Sequence, residues 1–89
     1  MNIANFVIEE GPKTENLEEL KKELDNKQKK EVILVFENED DEMHVSVRKI
    51  TERKQMFHIF GIVIKGRFKD LDFHAQYSSR DRTGYIWII

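Results

Sequence analysis

The chain predicts an α+β fold: one amphipathic helix, at about residues 15–29, packed on a mostly antiparallel, strongly curved sheet of five or six strands, for which a half-barrel is one available form. Three observations predict it. ENLEELKKELDNKQKK (15–30) is the stretch with helical periodicity. Every segment after it reads as strand, rich in β-branched and aromatic residues and separated by charged turns of hairpin length. The apolar residues of those strands fall on two faces, more than one helix can cover, so the sheet must curl or its second face must meet another chain.

The first strand is expected at residues 3–9 (IANFVIE), with Ala4, Phe6 and Ile8 on one side. Gly11-Pro12 ends it, because Pro cannot donate to a ladder and Gly favours a turn. In the helix, Asn16 with Glu19 fits a capping box and Thr14 is an alternative cap, while Leu17, Leu20 and Leu24 share a face. Glu18 with Lys22 and Glu23 with Lys27 are favourable i,i+4 pairs, and Lys27, Lys29 and Lys30 suit the negative end of the macrodipole. The remaining strands are EVILVFE (31–37), HVSVRKI (44–50), MFHIFGIVI (56–64), LDFHAQY (71–77) and YIWII (85–89), with turns at 38–42, 51–54, 65–70 and 81–84. Gly61 inside a strong strand marks a bulge or a close backbone approach.

If residues 51–54 close a tight hairpin, Ile50 faces Gln55, Val47 faces His58 and Val45 faces Phe60. A tight turn at Lys65-Gly66 then sets His58 against Phe73. The core face on this register comprises Met43, Val45, Val47, Met56, Phe60, Ile62, Leu71, Phe73 and Ala75, and the second face His44, Ser46, Arg48, Phe57, Ile59, Val63, Asp72, His74 and Gln76. The terminal YIWII, apolar on both sides, is expected inside a sheet covered on both faces.

A chain of 89 residues is expected to form a single domain spanning 1–89, burying about 60–65% of the surface its unfolded form exposes. It has no cysteine, which excludes disulfides, thiolate metal sites and cysteine nucleophiles. The longest apolar run, IFGIVI (59–64), is too short to span a bilayer, and MNIANFVIEE does not resemble a signal peptide, so a cytoplasmic protein without membrane contact is expected. The charge is divided: residues 1–42 carry 6 Lys and Arg against 13 Asp and Glu, a balance of −7, whereas residues 43–89 carry 9 against 4, a balance of +5. An acidic helix neutralising a basic sheet explains this as readily as a basic surface for nucleic acid.

Chemistry-bearing motifs are sparse. His44 and His74 share the predicted second face at a separation of more than roughly 15 Å, and His58 falls on the other face, so neither a metal nor a cofactor is expected. ENEDDE (37–42) lacks the Gly and Glu positions of a calcium loop, and the glycines at 11, 61, 66 and 84 form no phosphate cradle. Asp72 and His74, with Arg48 nearby, form the one acid–base combination.

The leading expectation is a small non-enzymatic protein–protein interaction module of inhibitor or accessory type, self-associating through the second face, with Arg48, Phe57, Ile59, Asp72, His74 and Trp87 as interface positions. The alternative is a nucleic-acid binder using Lys65, Arg67, Lys69, Arg80 and Arg82 for phosphates, beside Phe68, Tyr77, Tyr85 and Trp87. A small acid–base enzyme is the third.

Overall fold

The computed structural model describes residues 4–89; Ile3, where the predicted first strand begins, lies outside the described residues. The elements are β1 (Ala4–Ile8), α1 (Thr14–Asp25), β2 (Val32–Glu37), β3 (Glu42–Arg53), β4 (Met56–Lys65), β5 (Asp72–Ser78) and β6 (Thr83–Ile88). They form one helix and a six-stranded antiparallel sheet of order β1-β6-β5-β4-β3-β2. The chain starts at one edge, crosses through α1 to the opposite edge, and meanders back until β6 lies against β1. The sheet curls so strongly that its edges touch at one end. There Glu9 N and Glu10 N donate to Glu37 O at 2.8 and 3.2 Å, and Glu37 N donates to Glu10 O at 3.0 Å. The result is a half-barrel with α1 packed against its inner face.

The helix is shorter than its periodicity predicts. Lys27 adopts a left-handed backbone (φ 59°), which stops the helix at Asp25. Neither predicted cap operates: Lys13 occupies the cap position without a side-chain bond, and Thr14 Oγ1 instead hydrogen-bonds Ser79 Oγ at 2.8 Å. That bond ties the start of α1 to the β5–β6 turn. Leu17 is fully buried, with Leu20 and Leu24 packed beside it on the core, as the leucine spacing requires. The ion pairs formed are Lys21–Asp25 and Lys29–Glu23 rather than the two predicted ones.

The inner face is built by alternation. On β2, Val32, Leu34 and Phe36 point in while Ile33 and Val35 are exposed. Phe6 and Ile8 of β1, Phe73, Ala75 and Tyr77 of β5, and Ile86 and Ile88 of β6 complete the opposing wall. Tyr77 stands edge-on to Phe36 at 5.6 Å, and its hydroxyl donates to Pro12 O at 2.7 Å. This buried phenol therefore anchors the β1–α1 connection while satisfying its own polar atom.

The β3–β4 pairing departs from the predicted register at the turn and at two irregularities; the one between His44 and Val45 makes Ile64 an extra residue on β4, and the one at Arg48 changes the faces. Val47 pairs with Gly61 but Lys49 pairs with Phe60, so Arg48 is an extra residue on β3. The hairpin turn lies at Lys54-Gln55, both with positive φ (52° and 66°), and Arg53 pairs with Met56. The bulge reverses the parity of β4 relative to the first half of β3. Phe57, Ile59 and Val63 thus enter the core, at 2%, 0% and 0% exposure, and His58, Phe60 and Ile62 turn outward. Leu71, also predicted as core, is 44% exposed. The β4–β5 register is shifted as well, Phe57 to Tyr77 and Phe60 to His74 in place of His58 to Phe73, and this second change of parity leaves Phe73 and Ala75 inside and Asp72, His74 and Gln76 outside, the faces predicted for β5.

Gly61 meets the bulge directly. A Cβ there would overlap the carbonyl oxygen of Ser46, so β3 and β4 can approach this closely only with glycine. Gly61→Ala should cost about 3 kcal/mol, read as a lower urea midpoint at unchanged slope. A second expectation concerns alkali. Burial pushes the Tyr77 hydroxyl up to about 12, partly offset by the neighbouring Arg82 cation. The unfolded phenol titrates near 10, so the fold's preference for the neutral form is fully present below about pH 10 and is lost as pH rises towards 12. Tyr77→Phe should flatten that alkaline loss of stability, at the expense of about 1 kcal/mol at neutral pH from the lost hydrogen bond to Pro12.

Candidate functional site

The convex outer face of the sheet carries two rows of side chains running across the strands. Lys49 of β3, Phe60 of β4, His74 of β5 and Trp87 of β6 are successive Cα partners. The adjacent row is Thr51, His58, Gln76, Tyr85 and, on β1, Val7. Because side chains alternate along each strand, the bulge that buried Phe57 and Ile59 necessarily turned His58 and Phe60 out beside His74.

The rings of the first row stand against one another. Phe60 and His74 are stacked at 4.5 Å with planes 7° apart, and His74 lies 5.5 Å from Trp87, which is 6.3 Å from Tyr85. Lys49 Nζ sits 6.0 Å from the Phe60 centroid at the β3 end of the row. His58 and His74, diagonal neighbours on β4 and β5, bring Nδ1 of the former to 3.1 Å from Nε2 of the latter, one nitrogen donating and the other accepting. Both imidazoles are half-buried, whereas Tyr85 is 54% and Val7 46% exposed.

Burial first, and the nearby His58 second, hold the His74 pKa below the ordinary imidazole value. The hydrogen bond requires an acceptor nitrogen, which is lost if both rings are protonated. The pair is thus built for a neutral His74.

The interface residues predicted from sequence divide. Phe57 and Ile59 are core residues, a correction that follows from the Arg48 bulge, and a charge introduced at Phe57 would disrupt the fold rather than a surface. Arg48 is the exposed bulge residue itself. Asp72, His74 and Trp87 do face outward. His58, expected on the opposite face from His74, is instead its bonded neighbour. A signal existed: Val45, Val47 and Ile50 are spaced by two and then three residues, a break in alternation that only an extra residue reconciles. The terminal strand is interior, between β1 and β5, but only its inner side is covered by this chain. Ile86 and Ile88 are buried, Trp87 is half-buried and Tyr85 exposed.

The predicted phosphate contacts do not converge. Lys65, Arg67 and Lys69 lie at the start of β5 and Arg80 and Arg82 beyond its end, separated by the length of a seven-residue strand, roughly 20 Å. Arg67 Nε donates to Asp41 Oδ2 at 2.6 Å and its guanidinium lies over Phe68. Arg82 donates to Gly11 O at 2.6 Å and pairs with Glu10 at 3.1 Å, holding the β1–α1 connection. Both are thereby committed within the fold. As for the acid–base combination, the described bond of His74 goes to His58, while Asp72 lies opposite Ile62.

Among the described residues no group of three or more His, Cys, Asp or Glu is placed to hold a metal ion, and no helix is long and apolar enough to cross a membrane. Comparisons with protein-family models, curated proteins and solved structures find no match.

The histidine pair has a measurable consequence for stability. Because the His74 pKa is lowered in the fold, its contribution is present above the unfolded value near 6.5 and is lost as pH falls below it. The His74 ring proton followed by NMR should titrate with a midpoint below 6.5, and His74→Phe should lessen the drop in urea midpoint between pH 7 and 5.

Proposed function

We propose that the protein is a small non-enzymatic protein–protein interaction module whose partner, at the outer sheet face, is a second copy of the same chain. The observation that carries this reading is the row of half-buried aromatic and imidazole rings lining the outer face across β4, β5 and β6, continued by the exposed Tyr85 and Val7. A face of this kind, rich in rings that carry polar tips, suits an interface. Its charge pattern favours self-pairing. Phe60, His58, Gln76, Tyr85 and Trp87 with a neutral His74 oppose no like charges when the face meets itself about a twofold axis, and Lys49 and Asp72, of opposite sign, stand at its margins.

Nucleic acid fits less well. Base stacking needs ring faces open to solvent, and the faces of Phe60 and His74 are occupied by each other. The basic loops lie at opposite ends of β5, and Arg67 and Arg82 are already paired.

The test is solution mass by light scattering over a concentration series, for the wild type and for Phe60→Glu and Trp87→Glu, both outward positions. A dimer that becomes monomeric in either variant, with unchanged urea midpoint, is expected. A wild type that stays monomeric up to about 1 mM, a level at which even weak association is visible, overturns the reading. If that monomer also shifts a single-stranded oligonucleotide at low salt, and Lys49→Glu abolishes the shift, the nucleic-acid reading replaces it.

A further inference from the structure

We infer that His58 and His74 together form a two-imidazole site for a divalent transition metal of the kind imidazole prefers: copper(II), nickel(II) or zinc(II). Geometry carries the inference. Two nitrogens 3.1 Å apart, each about 2.1 Å from a common ion, subtend about 95° at it. That angle lies between the right angle of copper and nickel sites and the tetrahedral angle of zinc, so the two rings are already at ligand spacing. Their positions on β4 and β5, both interior strands of the sheet, fix the backbones, and the Phe60 ring stacked on His74 at 4.5 Å fixes that imidazole's orientation.

The chemistry is consistent. A metal takes neutral imidazole, the form in which one of the two facing nitrogens accepts from the other. On binding, the ring that donates in this hydrogen bond takes its other neutral tautomer, its N–H moving through solvent to the far ring nitrogen, so that His58 Nδ1 and His74 Nε2 both present lone pairs, and a proton on either nitrogen excludes the ion. Affinity must therefore fall as pH drops through the imidazole range. Water completes the coordination, with Gln76, opposite His58 in register, the neighbouring oxygen donor on the same face. Both ligands come from one copy but lie on the face proposed to pair with a second one, so the metal titration is read beside the solution mass of the same sample.

The chain's single tryptophan is a built-in reporter, with Trp87 5.5 Å from the His74 ring. Copper(II) chloride titrated into the protein at pH 7.5 in a non-chelating buffer should quench Trp87 saturably at one equivalent, and zinc(II) should compete. His58→Gln and His74→Gln should each weaken binding at least about tenfold, as expected when one of two ligands is lost. His44→Gln, on β3 and bonded to Glu42 at 2.7 Å, should leave it unchanged. Quenching that does not saturate, that survives both variants at wild-type affinity, or that disappears with His44→Gln overturns the site. Should either variant fail to fold, nickel(II) broadening of wild-type NMR signals decides: loss centred on His58 and His74 supports the site, and loss centred elsewhere overturns it.

Discussion

In an antiparallel sheet a strand has two ways to present its side chains, and one residue added to a neighbour exchanges them for everything beyond it. Here that residue is Arg48. Before the bulge, Val45 and Val47 point inward opposite Val63 and Gly61; after it, Ile50 points inward opposite Ile59. The inner wall of Phe57, Ile59 and Val63 and the outer row of His58, Phe60 and Ile62 are consequences of the same insertion. Without it, His58 would enter a core made of aliphatic and aromatic side chains, where an imidazole without a polar partner is costly. Gly61 permits the arrangement, since any larger residue would collide with the Ser46 carbonyl just before the bulge.

Curling the sheet then settles the supply of apolar residues. A flat sheet of this composition would need a layer on each face, whereas a half-barrel packs its own strands against one another and asks α1 only to cover the opening. Leu17 is the fully buried helix residue, and the strands provide the rest of the core. The segment between β1 and α1 is what holds the curl. Tyr77 to Pro12, Arg82 to Gly11 and Thr14 to Ser79 join it to β5 and the following turn, while Glu9 and Glu10 join it to Glu37 at the far edge. Closure in this manner also shields part of two sheet edges that would otherwise offer unpaired backbone groups.

Much of this was legible in the sequence. Helical spacing of leucines and the run of β-branched strands identify the α+β class, the element order and the need for curvature, because those signals depend on local periodicity. The faces of β4 were not legible because of the Arg48 bulge; the turn at Lys54-Gln55, which has neither the glycine nor the asparagine that usually marks positive φ, moves the register by an even number and leaves Ile50 on the same face as Ile59. The helix end was hidden similarly: Lys27 takes the left-handed conformation that glycine normally signals. The site suffered most. His74 was placed outward by simple alternation, but pairing His58 with His74 depends on a bulge visible only as the broken spacing of Val45, Val47 and Ile50. The grouping of basic loops failed for a simpler reason, as consecutive hairpin turns lie at opposite ends of their shared strand.

The outer row is more than the fold requires. Cross-strand ring pairs on an exposed face each contribute on the order of 1 kcal/mol, which β-branched residues at the same positions would largely match. Imidazoles are a poor choice for that purpose, because a half-buried histidine held neutral loses stability whenever the pH falls towards its ordinary titration range. For His74 the neighbouring His58 adds to burial in disfavouring the charged form. A surface selected only to cap the sheet would avoid the combination. Rings stacked on one another, with the His58 and His74 nitrogens in hydrogen-bond contact among them, are thus a combination that capping the sheet does not account for.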